Sequence, residues 1–275
     1  MFIISNVKEE YKRYFQTHDG IENYNAFKSV LYGRQDTLVQ TLFNNYIKKF
    51  RLQAPLIICD VGGGDGKRAV NICENIHKNA GIYLQLDFIE QSRLACQHFT
   101  QKIPRIKSFC EVEIFPKEIE DMVPNRKYDI IFLIHSIFCF RDFSILQHLY
   151  SHIKEGGMLM IVTNSSESFL GQLKEKLDEE YKDQRYEISR LTDDLKTHRF
   201  QFREESITTR WTVHKDAVEA QLEIILQWLS LGHFKKMHPF QRNKLLQMAK
   251  VRGHREKDTF LFSEVEKVIM ITKNR

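Results

Sequence analysis

The sequence predicts an α/β fold: a doubly wound, mostly parallel sheet of seven strands with helices on both faces and an antiparallel last strand. Three observations lead there. Short apolar runs at 55–61, 82–89, 106–112, 128–134 and 158–163 alternate with stretches of helical period. Runs that are apolar on both faces fit parallel strands covered on each side. The first run breaks at a cluster of glycines, 62, 63, 64 and 66, immediately before a helical stretch. Further on, 200–213 and 264–273 read as late strands with two helical stretches between them.

Each element has its own signal. Residues 6–16 and 20–50 set Tyr24, Phe27 and Leu31, then Leu38, Leu42 and Tyr46, at three- and four-residue spacing with Gly33 interrupting, which predicts two or three amphipathic helices before the first strand. Between the strands the helical stretches are 67–79, 91–102, 117–122 and 142–153. The last of these opens at Asp142 as a cap, carries Leu146, Leu149 and Ile153 on one face, and stops at Gly156 and Gly157. Residues 167–190 are highly charged with a stripe of Leu170, Leu173, Leu177 and Tyr181, the pattern of a solvated helix. Thr192, Asp193 and Asp194 look like a cap before a short helix, and two more helices are expected near 216–231 and 239–251.

Composition narrows the class. Over 275 residues, 42% hydrophobic and 28% charged content is that of a folded globular chain. The net charge of +5 is dispersed rather than gathered in a tract, so no nucleic-acid partner is expected. Five cysteines, an odd number with no metal-ligand spacing, read as reduced core thiols, and no metal site is expected. The opening MFIISNVKEEYKRY lacks the apolar centre of a secretory signal, and no run approaches the ~18 apolar residues of a membrane helix. A cytoplasmic protein with no membrane partner is the expectation; the oligomeric state is not encoded legibly, and a monomer is compatible with everything above.

The chemistry centres on LIICDVGGGDGKRAV, a buried strand followed by Asp60, the glycines and a helix start. Such a turn cradles an anionic or polar ligand, because glycines let it reach backbone N–H groups that a Cβ would screen. A dinucleotide fingerprint needs a glycine at the sixth position, where Gly62 leads to Lys67 and Gly64 to Ala69. A mononucleotide P-loop needs a hydroxyl after Gly66 and Lys67, where Arg68 stands. What remains is an acid at the strand end followed by glycines at alternating positions, Asp60-x-Gly62-x-Gly64-x-Gly66, with Gly63 between. This pattern resembles the first motif of class I S-adenosylmethionine-dependent methyltransferases, whose fold is Rossmann-like. The resemblance implies S-adenosyl-L-methionine as donor and S-adenosyl-L-homocysteine as product.

The same resemblance distributes the other donor contacts. The second strand, IYLQLDFIEQS, ends in Asp87 and Glu90; an acid there accepts the ribose hydroxyls in nucleotide-binding α/β folds, and Glu90, followed by Gln91, is the better placed, with Asp87 ending a ladder at the surface. The third strand, ending CEVEIFP, points to Glu111 or Glu113 for the adenine amino group. The fourth strand delivers Ile134 beside the adenosine and His135, Ser136 and Phe138 to the open carboxyl end of the sheet. His135 is the candidate base, since a neutral imidazole accepts a proton near pH 7; a histidine that merely caps the strand is the plainer alternative.

Over the whole chain the order of features is similar to the histamine N-methyltransferase type: YKRYFQTHD, the glycine loop, Phe88-Ile89-Glu90-Gln91-Ser92, Tyr128-Asp129, Thr192-Asp193-Asp194-Leu195 and two helices between the last strands. That resemblance implies a lid of helices over 1–50, a methyltransferase domain over 51–275 with a helical insertion at about 215–255 on the substrate side, and a small-molecule acceptor, an amine methylated on nitrogen. It carries acceptor contacts onto Tyr11, Tyr14, Phe15, His135 and Phe138. The family's carboxamide contact after strand four is replaced here by His135, and its tyrosines by Phe138 and Cys139. A protein or RNA methyltransferase and an inactive donor-binding regulator are the other readings. Against them stand the intact loop with Glu90, and His-Ser-Ile-Phe in place of an Asn-Pro-Pro-Tyr-like sequence.

Overall fold

A computed structural model describes residues 13–31, 34–49, 54–121, 126–140, 142–165, 167–181 and 188–273. Tyr11 lies outside them.

Helices α1 (His18–Val30) and α2 (Arg34–Asn45) precede the sheet, after a helical turn at 13–15. The core alternation follows: β1 (Leu56–Val61), α3 (Lys67–Ala80), β2 (Leu84–Ile89), α4 (Arg93–Thr100), β3 (Cys110–Phe115), β4 (Tyr128–Ile134), α5 (Ser144–Ser151) and β5 (Ile153–Asn164). Then come α6 (Phe169–Tyr181), α7 (Ile188–Thr197), β6 (Phe202–His214), α8 (Val218–Leu229), α9 (Pro239–Lys250), β7 (His254–Glu256) and β8 (Thr259–Thr272). The strand order is β3-β2-β1-β4-β5-β8-β6, with β7 paired to β8. Pairs β1·β2, β1·β4, β2·β3 and β4·β5 are parallel. The late strands are antiparallel: Gly156 N–H donates to Lys273 O at 2.8 Å, and nine residues later Ser165 N–H donates to Val265 O at 2.9 Å, so β5 and β8 run in opposite senses. Among the described residues the sheet follows the seven-strand path expected, with the short strand β7 added as a hairpin on β8.

The predicted boundaries hold closely for β1, β2 and β4. The third strand differs: predicted over 106–112, it lies at Cys110–Phe115. A 3-10 turn at Ile103–Arg105 with Pro104 in its first positions is followed by Ile106 and Lys107 bonding back to Ile103 O, which uses the preceding apolar residues in turns. The expected helix at 117–122 is only the 3-10 turn Ile119–Asp121.

Two compact units make up the chain: residues 1–35, 164–184 and 207–266 form one, and 36–163, 185–206 and 267–275 the other. In the first, Trp228 of α8 is packed by Phe15 at 4.8 Å, Tyr24 at 4.9 Å and Phe27 at 5.8 Å between ring centroids. In the second, the core runs from Cys59 and Val61 through Tyr128, Ile131 and Leu133 to Leu149, Ile161, Leu195 and Ile269. All five cysteines are free thiols, four buried and Cys139 half-buried. Among the described residues no helix is long and apolar enough to cross a membrane, and no group of three or more His, Cys, Asp or Glu is placed to hold a metal ion.

Candidate functional site

The site grows from the carboxyl end of β1. At Val61 the strand stops, and Gly62 turns with φ +70°, its N–H donating to Ile89 O of β2 at 2.8 Å. The turn is packed from both sides. A Cβ at Gly62 would overlap Ser136 and come within 3.2 Å of its Oγ, and a Cβ at Gly63 would lie 2.6 Å from Phe88 Cζ and 2.8 Å from Asp60 Oδ2. Gly66, φ +73°, caps α3 and presses on Phe99 of α4. Lys102, just past α4, donates from Nζ to Asp65 O at 3.0 Å and pairs with its carboxylate at 3.3 Å. The loop is thus clamped by β2, α4 and the end of β4, which is what a site that must not reorganise on binding requires.

Glu90 faces this loop. Only 6% exposed, it accepts Gly64 N–H at 2.9 Å on one oxygen and Ser92 N–H at 2.8 Å on the other. Burial raises its pKa, opposed by the backbone N–H groups of Ser92, Gly64 and Gln91. Of the roughly four lone-pair sites of the carboxylate, these donors leave one for a ligand hydroxyl. Asp60, 5% exposed, is pushed up to about 6 chiefly by burial, with Arg68 pulling it down and Glu90 adding to the rise. Two acids beside a turn stripped of Cβ atoms fit a polar ligand with a sugar and a cationic end.

At the end of β4, Ile134 is 3% exposed. His135 then takes φ +56°, its N–H held by Val162 O at 2.8 Å. A non-glycine residue in the left-handed region costs about 1–2 kcal/mol, and such strain gathers at functional positions. Ser136 anchors the kink, donating from Oγ to Val61 O at 2.6 Å while 4% exposed. Phe138 lies in the 3-10 turn Ile137–Cys139 that follows. So the structure brings together Asp60, Gly62, Gly63, Gly64, Gly66, Glu90, Gln91, Ile134 and His135.

Other expected residues fall elsewhere. Glu111 is the second residue of β3, opposite Gln85 and accepting its Nε2 at 2.9 Å, while Phe115 of the same strand is opposite Ile89. Four residues at about 3.3 Å each leave Glu111 about 13 Å short of the strand's carboxyl end. Glu113 is likewise inside β3 and pairs with Arg126 at 3.4 Å. Asp87 does not end a ladder at the surface: at 2% exposure it accepts Arg126 Nε at 2.9 Å and Tyr128 Oη at 2.7 Å. Tyr14 and Phe15 belong to the first unit, where Tyr14 Oη accepts Asn23 Nδ2 at 2.6 Å and Phe15 is buried against Tyr24 and Trp228. Phe99 and Lys102 were not singled out by the sequence reading and left no local signal; Ser136 was named only as a residue delivered to the carboxyl end of the sheet, not for the bond it makes to Val61 O.

Comparison with known proteins gives this geometry a family. A family model described as methyltransferase domain matches residues 35–253. No curated protein sequence matches the chain. Among solved structures, the plantazolicin methyltransferase BpumL in complex with a triazolic desmethylPZN analog and S-adenosylhomocysteine is 18% identical, with 99% of this chain and 98% of that one covered at a TM-score of 0.58. The Bacillus subtilis YcgJ protein is 14% identical, with 86% and 99% covered at 0.54. A Haemonchus contortus phosphoethanolamine N-methyltransferase 2, in complex with phosphomonomethylethanolamine and S-adenosylhomocysteine, is 14% identical, with 96% of this chain and 60% of that one covered at 0.55. With the family model spanning most of its length, the chain belongs to the methyltransferase domain family and is an S-adenosylmethionine-dependent methyltransferase.

Proposed function

We propose that the acceptor is a small amine, methylated on nitrogen beside His135. The observation that carries the reading is the strained, half-buried His135 at the carboxyl end of β4, fixed by Val162 O and by its neighbour Ser136, at the end of the sheet where the glycine loop lies. S-adenosylmethionine supplies an electrophilic methyl group on a sulfonium. The chain's part is orientation: Glu90 accepts a ribose hydroxyl, the loop N–H groups and Asp60 receive the polar tail, and the glycines let the nucleoside approach the backbone. An amine that gains a methyl group must shed a proton, and the imidazole of His135 accepts it.

The similarity to the histamine N-methyltransferase type supports an amine, and the fold likeness to a phosphoethanolamine N-methyltransferase is consistent with it. The replacements at His135, Phe138 and Cys139 favour an amine other than histamine itself. The experiment is a screen of amines, phenols and carboxylates read by homocysteine release, run on the natural sequence and on His135→Ala. Turnover confined to amines, with kcat lowered about 100-fold and S-adenosylhomocysteine affinity unchanged in the variant, is expected. Turnover confined to phenols, carboxylates or a macromolecule, or equal loss of rate and affinity, sinks the proposal.

A further inference from the structure

Contrary to the dispersed charge expected from the sequence, the positive net charge sits in one stretch. Residues 233–257 hold eight lysines and arginines against a single acid, Glu256, while the rest of the chain has 33 basic and 35 acidic residues. The stretch lies within the first compact unit and comprises the 3-10 turn Phe234–Lys236, α9, and β7 with the start of its hairpin turn. Lys235, Lys236, Lys244, Arg252, Arg255 and Lys257 are all exposed, and among the described residues none of the six has an acidic partner. Apolar side chains stand among these charges. Helix α9 buries Leu245, Leu246 and Ala249 and turns its other face outward, where Phe240 is 73% exposed and Val251, at the helix cap, 81%. Positions 240, 244, 247 and 251 are spaced by four, three and four, so they form one stripe about 16 Å long with Lys244 and Gln247 between its apolar ends. Lys235 and Lys236 precede the Phe240 end, and Arg252, Arg255 and Lys257 follow the Val251 end.

We infer that the outward face of α9, with the basic turns at its two ends, docks on the surface of an anionic phospholipid bilayer. One exposed hydrophobic residue is ordinary, but two on one stripe, each beside exposed cations, match a partner that is anionic at its surface and apolar beneath. Phe240 and Val251 enter the boundary between headgroups and acyl chains, while the lysines and arginines reach lipid phosphates and carboxylates around them. At 12 residues α9 is too short to span, so it lies along the membrane. The expectation of no membrane partner rests on the lack of a spanning run, which a helix lying on the surface does not need. A nucleic acid fits less well: bases stack on aromatic rings, and Val251 offers none at its end of the stripe.

The test is co-sedimentation of the full chain with vesicles of phosphatidylcholine alone or of phosphatidylcholine with phosphatidylserine. The chain is expected to sediment with the anionic vesicles and not the neutral ones, and to be released as salt is raised. Lys235→Gln with Lys236→Gln should weaken binding about 25-fold, roughly fivefold for each charge removed. Phe240→Ser with Val251→Ser should weaken it about tenfold, and both double variants should melt with the unaltered chain because the replaced side chains are exposed. Soluble glycerophosphoserine should not displace the chain. Equal sedimentation with the two kinds of vesicle, or none with either, overturns the proposal. So does a Phe240→Ser, Val251→Ser variant that binds as the unaltered chain does, since charge alone would then suffice. Displacement by glycerophosphoserine overturns it in favour of a headgroup pocket, and a preference for oligouridine over the anionic vesicles overturns it in favour of nucleic acid.

Discussion

The two glycines that bracket α3 allow the packing of the donor loop to be separated from its backbone conformation. Gly66 and Gly81 both stand in the left-handed region, at φ +73° and +67°. A Cβ on Gly81 would meet nothing within 4 Å, so Gly81→Ala measures the backbone cost alone, about 1–2 kcal/mol. At Gly66 the same Cβ would overlap the Phe99 ring and lie 2.8 Å from its Cβ. Phe99 has no exposed surface and its ring lies 4.0 Å from that of Phe88, itself fully buried, so it has nowhere to retreat. Overpacking of this kind adds about 1–3 kcal/mol. For a chain of this size each kcal/mol lowers the melting temperature by about 2–4 °C, so Gly66→Ala should melt about 6 °C below Gly81→Ala. Thermal unfolding of the two variants followed by circular dichroism decides the matter. A parallel scan with S-adenosylhomocysteine should show its stabilisation kept in Gly81→Ala and largely lost in Gly66→Ala, since a native-state ligand stabilises by mass action. Equal melting temperatures would refute the claim that Phe99 is a rigid wall of the loop.

Two other outcomes follow from the charges. Asp60 has a folded pKa of about 6 against an ordinary 3.8, so its neutral form is favoured by folding; its contribution to stability is full below 3.8 and is lost as the pH rises through about 6. Donor binding draws on the ionised form, so calorimetry should show S-adenosylhomocysteine affinity rising across that interval and flat above it, and Asp60→Asn should erase the rise; an affinity that falls with pH contradicts the role given to Asp60. Tyr128→Phe removes a buried hydroxyl bonded at 2.7 Å to Asp87, and should cost about 1.5–3 kcal/mol in chemical denaturation without changing S-adenosylhomocysteine affinity, because this network belongs to the sheet and not to the loop.

How much of this was legible depended on what kind of signal each element leaves. Strands β1, β2 and β4 are apolar on both faces and stop at glycine, acid or histidine, so their ends were read to within two residues. The third strand was displaced because Ile106, fully buried, sits in a turn, and periodicity cannot distinguish a buried turn residue from the start of a strand. That displacement put Glu111 at the end of the strand and Glu113 just past it, when both lie within it. Strand β7 left no trace: its three residues are all exposed, and its hairpin turns through Lys257 at φ +46°, a residue type that does not announce a left-handed turn. The glycine loop and Glu90 were legible because their chemistry is local in sequence. What fixes them was not: Ser136 reaches Val61 across 75 positions, and Lys102 reaches Asp65 across 37. The cluster around Trp228 joins residues some 200 positions apart, which no local pattern encodes.

The Ser136 contact also limits how relatives of this enzyme can diversify. Its hydroxyl ties the end of β4 to the end of β1, and its Cβ fills the space a larger residue at Gly62 would need. Any change of side chain at 136 is therefore felt by the donor loop. Exchange of acceptor preference should then spare this serine, which acts as the pin between β4 and the bend after β1.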